Sequence, residues 1–134
     1  MIVDTSVWIE FLRGTRTRSA EELTGRIVRG EPIMVPETVI MELLSGSADE
    51  AVTARRRRLL FSFDVVPAAP LVDSLRAAAL QRSCRRSGVV VRSLNDCLIA
   101  AVALRLEVPV LHRDPDFETL AACSPLRTVN TLLD

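Results

Sequence analysis

The stretch LNDCLIAAVALRL, residues 94–106, is apolar on nearly every side of a helix. A helix without a polar face cannot lie on a surface, so the rest of the chain has to cover it. Directly after it comes Val108–Leu111, short and apolar enough for a buried strand. A helix covered all round and followed by a buried strand calls for a layered fold with a sheet at its centre.

The same alternation runs along the whole chain. Ile2–Asp4, Ile33–Val35, Phe63–Val66 and Leu126–Val129 read as further short strands. Between them lie helical stretches at Ser6–Arg13, which Gly14 stops, and at Ser19–Arg29, closed by Gly30. Pro36 opens VPETVIMELLSG as a first helical residue, with Gly46 as its stop. Ser47-Ala48-Asp49-Glu50 has the form of a capping box. Residues 71–87 form a long helix rich in Ala and Arg, and Pro115–Ala121 a short one. Strand and helix in alternation give a mostly parallel sheet with helices on both faces. The 134 residues, 49% apolar, suit one α/β domain over 1–134 with a single core. No repeat, linker or low-complexity tract divides it.

Several classes of chemistry drop out on composition. All 17 basic residues are arginine, so a phosphate-binding loop has no lysine to use. The single histidine, His112, leaves little room for Ser-His-Asp or Cys-His catalysis. Cys84, Cys97 and Cys123 lack C-x-x-C spacing and read as reduced, buried thiols. No apolar run approaches the ~20 residues of a membrane span. MIVDTSVW has an acid at position 4 and no basic region, unlike a secretory signal. A cytoplasmic location is the expectation.

Sites in doubly wound sheets gather beyond the carboxyl ends of the strands. Asp4 follows the first strand, and Asp114 and Asp116 follow Val108–Leu111, so three acids share that edge. Asp96 sits in the first turn of the buried helix, which descends ~16 Å before the next strand climbs back about as far. Glu42, about a turn and a half into its helix and ~8 Å below the edge, stands among Val39, Ile40, Met41, Leu43 and Leu44. Each acid except Glu42 also has a purely structural use as a helix cap or first-turn charge. Together they would repel, and clustered carboxylate oxygens are what hard divalent cations take as ligands. A Mg²⁺ or Mn²⁺ ion is therefore expected between them.

MIVDTSVWIEFL, VPETVIMELLSG, SLNDCLIAAVAL and VLHRDPDFETL, in that order and spacing, make the whole chain resemble a PIN domain of the VapC-type toxin ribonucleases. The resemblance implies a three-layer α/β/α fold and Mg²⁺- or Mn²⁺-dependent cleavage of RNA phosphodiesters. It places the family's acids on Asp4, Glu42, Asp96 and Asp114 or Asp116, and its supporting hydroxyl on Ser6. It also implies a homodimer and an antitoxin that blocks the site. One position departs: before Arg113, where similar sequences often carry Thr or Ser, this chain has His112, for which a structural role is expected. A PIN-like fold that binds RNA or a partner without cutting is the alternative, and the filled acid positions speak against it. A phosphatase of the haloacid dehalogenase type would need an acid where Ser6 stands.

The charge is zero overall but uneven. Residues 1–50 hold 5 Arg against 9 acids, and residues 51–134 hold 12 Arg against 8. Arginine suits phosphate because its fork bonds two oxygens. Arg92, four residues before Asp96, and Arg113, beside Asp114, are the candidate RNA contacts. Arg55–Arg58 reads as a solvated helix face, since consecutive residues cannot share one side. Base-stacking rings are scarce, with one Trp, four Phe and no Tyr, so recognition of a folded RNA by shape is expected. Trp8, Phe11 and Leu12 are expected in the core or as apolar anchors for the antitoxin.

Overall fold

A computed structural model describes residues 1–133; of the span expected to form one domain, Asp134 lies outside the described residues. The order is β1 (Ile2–Val3), α1 (Thr5–Arg13), α2 (Arg18–Val28), β2 (Met34–Pro36), α3 (Glu37–Ser45), α4 (Glu50–Leu60), β3 (Asp64–Val66), α5 (Pro70–Arg86), α6 (Leu94–Leu106), β4 (Val110–His112), α7 (Pro115–Ala122) and β5 (Thr128–Asn130). The strands pair in parallel in the order β3-β2-β1-β4-β5. Ile2, Val3, Val35, Val110 and Leu111 are fully buried, as strands covered on both faces must be.

The order fixes the layers. From β1 the chain steps outward to β2 and β3, then crosses to β4 and β5 on the other side of β1. Right-handed crossovers put α1–α4 on one face and α5–α7 on the other. Helices pack accordingly, α1 on α2 and α3, and α5 on α6 and α7. The result is the expected three-layer α/β/α sandwich. The direction of winding reverses between β1 and β4, which opens a crevice beyond their carboxyl ends. Asp4 N–H donates to the Leu111 carbonyl at 2.9 Å, so the two strand ends are locked together where the crevice begins.

Helix α6 is the covered helix that its composition calls for. Cys97, Ile99, Ala100, Ala101, Val102 and Ala103 are all buried, and the alanines let sheet and α5 approach closely. Ser93 caps it by accepting the Asp96 N–H. Glu107 ends it in the left-handed conformation, at φ 56°, the one non-glycine residue there among those described. Gly14 ends α1 in that conformation too, at φ 68°, as anticipated.

Three local expectations change. Pro36 is the last residue of β2 and the N-cap of α3 rather than its first helical residue. Asp49, not Ser47, caps α4, accepting the N–H groups of Ala51 and Val52. Strands β4 and β5 lie one or two residues further on than expected, which brings His112 into β4. Trp8 is fully buried against Phe63 and Phe11, with ring centroids 5.4 and 5.7 Å away, so it belongs to the core and is no anchor for a partner.

Candidate active site

The first strand is two residues long and ends on an acid that starts the next helix. Asp4 caps α1, its Oδ2 accepting the Ser6 N–H at 3.0 Å and the Ser6 hydroxyl at 2.5 Å. The Ser6 oxygen accepts in turn the Arg113 N–H at 2.9 Å. Ser6 thus joins the ends of β1 and β4, and its proton is committed to Asp4. The other carboxylate oxygen, Asp4 Oδ1, is buried with no hydrogen-bond partner among the described residues.

Asp96 faces the same crevice from the first turn of α6. It is buried, and its Oδ2 is the second carboxylate oxygen without a partner. Asp114 caps α7, its Oδ1 accepting the Asp116 N–H at 2.9 Å. Asp116, two residues on and second in the helix, has no cap to make. Asp96, Asp114 and Asp116 each offer an oxygen, all within 4.8 Å of one another. The length match of α6 with its return strand has brought Asp96 to the level of the acids after β4.

Burial and like charge act together on this group. Burial first, then the charges of Asp4, Asp114 and Asp116, push the Asp96 carboxyl up to about 8. Asp4 is raised too, by burial that outweighs its bonds to Ser6, with Glu42 adding to the rise. Ions in this crevice are costly without a positive partner. A hard divalent cation takes oxygen ligands and would supply the positive charge that these acids lack. Two orphaned, buried oxygens and an all-oxygen donor set fit a hard divalent cation.

Glu42 sits outside the three-acid group. It is half-buried on α3, and its Oε1 accepts the Thr5 hydroxyl at 2.9 Å, which ties it to the start of α1 beside Asp4. It therefore has the partner that its apolar neighbours in sequence do not supply. The Arg113 guanidinium bonds Ser19 Oγ at 3.5 Å and the Thr131 carbonyl at 3.4 Å, tying α2 to the chain after β5. Arg92 is exposed just before the Ser93 cap. Arg55, Arg57 and Arg58 are exposed on α4 as a solvated face, with Arg57 over the Phe61 ring.

Residues the sequence did not single out complete the frame. Thr38 on α3 donates its hydroxyl to Asn95 Oδ1, joining α3 to the first turn of α6 beside Asp96. Asn95 was visible as the neighbour of Asp96, whereas nothing in the sequence marks Thr38 or Thr5. His112 is buried at the end of β4, its Nε2 2.7 Å from Glu118 Oε1 on α7, which confirms its structural role. Burial pushes the Glu118 carboxyl up, but its bonds with Thr128 and His112 outweigh this and hold it below its ordinary value.

A family model, PIN domain, matches residues 1–122. The chain is 36% identical over 132 residues to the VapC ribonuclease Mb1587 of Mycobacterium bovis, covering 97% of this chain and 98% of the relative. Identity and coverage are the same against ribonuclease VapC11 of Mycobacterium tuberculosis. Among solved structures, DNA-bound VapBC from Salmonella typhimurium superposes with a TM-score of 0.78 at 18% identity, over 96% of each chain. VapBC-5 from Mycobacterium tuberculosis gives 0.66 at 25%, again over 96% of each. The acids at the β1–β4 crevice thus stand in a fold shared along its full length, and the chain belongs to the PIN-domain family, among the VapC ribonucleases.

Proposed function

We infer that this protein is a divalent-metal-dependent endoribonuclease, the toxin of a type II toxin–antitoxin pair, with Mg²⁺ or Mn²⁺ as its cofactor. The observation that carries the reading is the group Asp96, Asp114 and Asp116, within 4.8 Å, beside the partnerless oxygens of Asp4 and Asp96. Asp4, Asp96, Asp114 and Asp116 would hold the ion. When bound, it supplies positive charge to the phosphodiester and the leaving oxygen and makes water more acidic. Ser6 keeps Asp4 turned toward the crevice through its bond to Oδ2. Glu42, held by Thr5 beside Asp4, would add its carboxylate to those that hold the ion or would orient the attacking water. No histidine base is required, since the ring of His112 is engaged elsewhere.

Similar solved structures include a toxin–antitoxin complex from Klebsiella pneumoniae and VapBC bound to DNA. For this chain an antitoxin is proposed to lie in the groove beside Glu42, about 240 Å³ and lined by Ile9, Leu12, Arg13, Leu43, Gly46 and Arg56. Ile9, Leu12 and Leu43 in its lining would supply the apolar anchoring that Trp8 cannot provide. Leu71, Val72 and Leu75 are exposed along the start of α5 and offer an apolar face to a second copy in a homodimer. No described helix is long and apolar enough to cross a membrane, and the proposed place of action is the cytoplasm. The reading is tested by incubating the protein with total RNA, first with chelator and then with Mn²⁺ added back. Endonucleolytic fragments in the Mn²⁺ sample alone are the expected result, and equal cleavage in both would contradict it.

A further inference from the structure

The buried imidazole of His112 has both ring nitrogens engaged. Nδ1 accepts the backbone N–H of Asp114 at 3.2 Å. A backbone N–H only donates, so Nδ1 carries no proton in this arrangement. Nε2 lies 2.7 Å from Glu118 Oε1, and a carboxylate accepts, so Nε2 carries the ring proton. The same Oε1 accepts the Thr128 hydroxyl at 2.7 Å. Hydrogen bonds therefore run from β5, through the α7 carboxylate and the ring, to the peptide of Asp114. Phe117 packs on the ring with centroids 5.2 Å apart and fixes its plane. Asp114 is at once the cap of α7 and one of the three clustered acids.

We propose that His112, as the neutral Nε2–H tautomer, is a positioning residue that holds the Asp114 peptide, and with it the Asp114 carboxylate, in the geometry that binds the divalent cation. The inference rests on the metal-dependent reading of the cluster. A hydroxyl at this position would offer one polar atom. The imidazole offers two on opposite edges, and so couples the acid to α7 and β5 as well. A side chain that only filled the space would leave the Asp114 N–H without an acceptor and Glu118 with the Thr128 hydroxyl in place of two donors.

Two substitutions of this residue separate positioning from packing. His112→Asn sets an amide oxygen where Nδ1 stands, keeping the acceptor for Asp114 and losing the reach to Glu118. His112→Gln reaches Glu118 and leaves the Asp114 N–H unpaired. The readout is Mn²⁺ affinity by calorimetric titration, at a temperature where each variant is folded. Binding within about threefold of wild type is expected for Asn, and a loss of roughly tenfold or more for Gln, as outer-shell partners of metal ligands show. Equal affinities in the two variants would overturn the proposal. Should the Gln variant not fold, ¹⁵N spectra of the wild-type ring decide: the Nε2–H neutral pattern is expected, and a proton on Nδ1 would overturn it. A wild-type chain that takes up no Mn²⁺ would overturn the reading of the site itself. A wild-type response shared unchanged by both variants would overturn only the role of His112.

Discussion

Asp96 and Asp114 bring carboxylate oxygens within 4.8 Å of each other from opposite kinds of position, one in a buried helix and one on the cap of a surface helix. Neither place is stable for a charge pair alone, so pH and metal have to act on the same residues.

Without metal, the Asp96 carboxyl is pushed up to about 8, by burial first and by its acidic neighbours next. A group raised in the folded state favours folding fully below its unfolded value near 3.9 and loses that contribution as pH rises through the folded value. The metal-free melting temperature is therefore expected to fall between about pH 5 and pH 8.5. In Asp96→Asn that slope flattens, leaving the contribution of Asp4, which burial also raises. Melting curves in chelator at a series of pH values check this, and an unchanged slope in the variant would count against it.

Asp73 has the opposite sign. Burial raises its carboxyl, but the bonds from Arg105, at 2.9 and 3.1 Å, and from the Ala69 N–H outweigh this and lower it. Its contribution is present above the ordinary carboxylate value and is lost as pH falls through the folded one. Asp73→Ala is expected to cost about 1.5–3 kcal/mol at neutral pH, the scale of hydrogen bonds to charged groups. Denaturant unfolding at pH 7 and pH 3 should show the gap between variant and wild type narrowing in acid.

Asp114 and Asp116 are adjacent in function but not alike. Asp114 Oδ1 is bound to the Asp116 N–H as a cap, while Asp116 caps nothing. Asp114→Asn keeps the cap, since Asn serves about as well, and Asp114→Ala costs roughly 0.5–2 kcal/mol. Asp116→Asn should leave the melting temperature in chelator nearly unchanged. Both Asn variants are expected to weaken Mn²⁺-dependent cleavage. Full activity in both would reduce this pair to a capped turn.

Trp8→Ala is expected to unfold or strongly destabilise the chain, by about 3–5 kcal/mol, because it empties a fully buried site against Phe63. Leu12→Ala, on the groove beside Glu42, should keep the fold and weaken antitoxin binding. Pull-down with the antitoxin alongside circular dichroism separates the two effects.

Much of this was legible in the sequence because alternation of strand and helix, and acids just after apolar runs, obey short-range rules. The covered helix at 94–106, the edge carrying Asp4 and Asp114, and the Asp114 cap follow from local pattern. What was not legible depends on contacts between distant segments. The bond from Thr5 to Glu42, the bond from Thr38 to Asn95 and the burial of Trp8 under Phe63 all join elements that only the fold brings together. The bonds of Arg113 to Ser19 and Thr131 are of the same kind, since these partners come from either end of the chain.

Divalent metal held by these acids is proposed both to stabilise the fold and to enable cleavage. A single Mn²⁺ titration followed by melting temperature and by RNA cleavage in the same samples tests it most directly. Both signals are expected to rise with one midpoint, the stability gain reaching about 2.7 kcal/mol at a hundred times the dissociation constant. Both should vanish in Asp96→Asn while that chain remains folded. Cleavage that persists in chelator, or that survives undiminished in Asp96→Asn, would contradict the account.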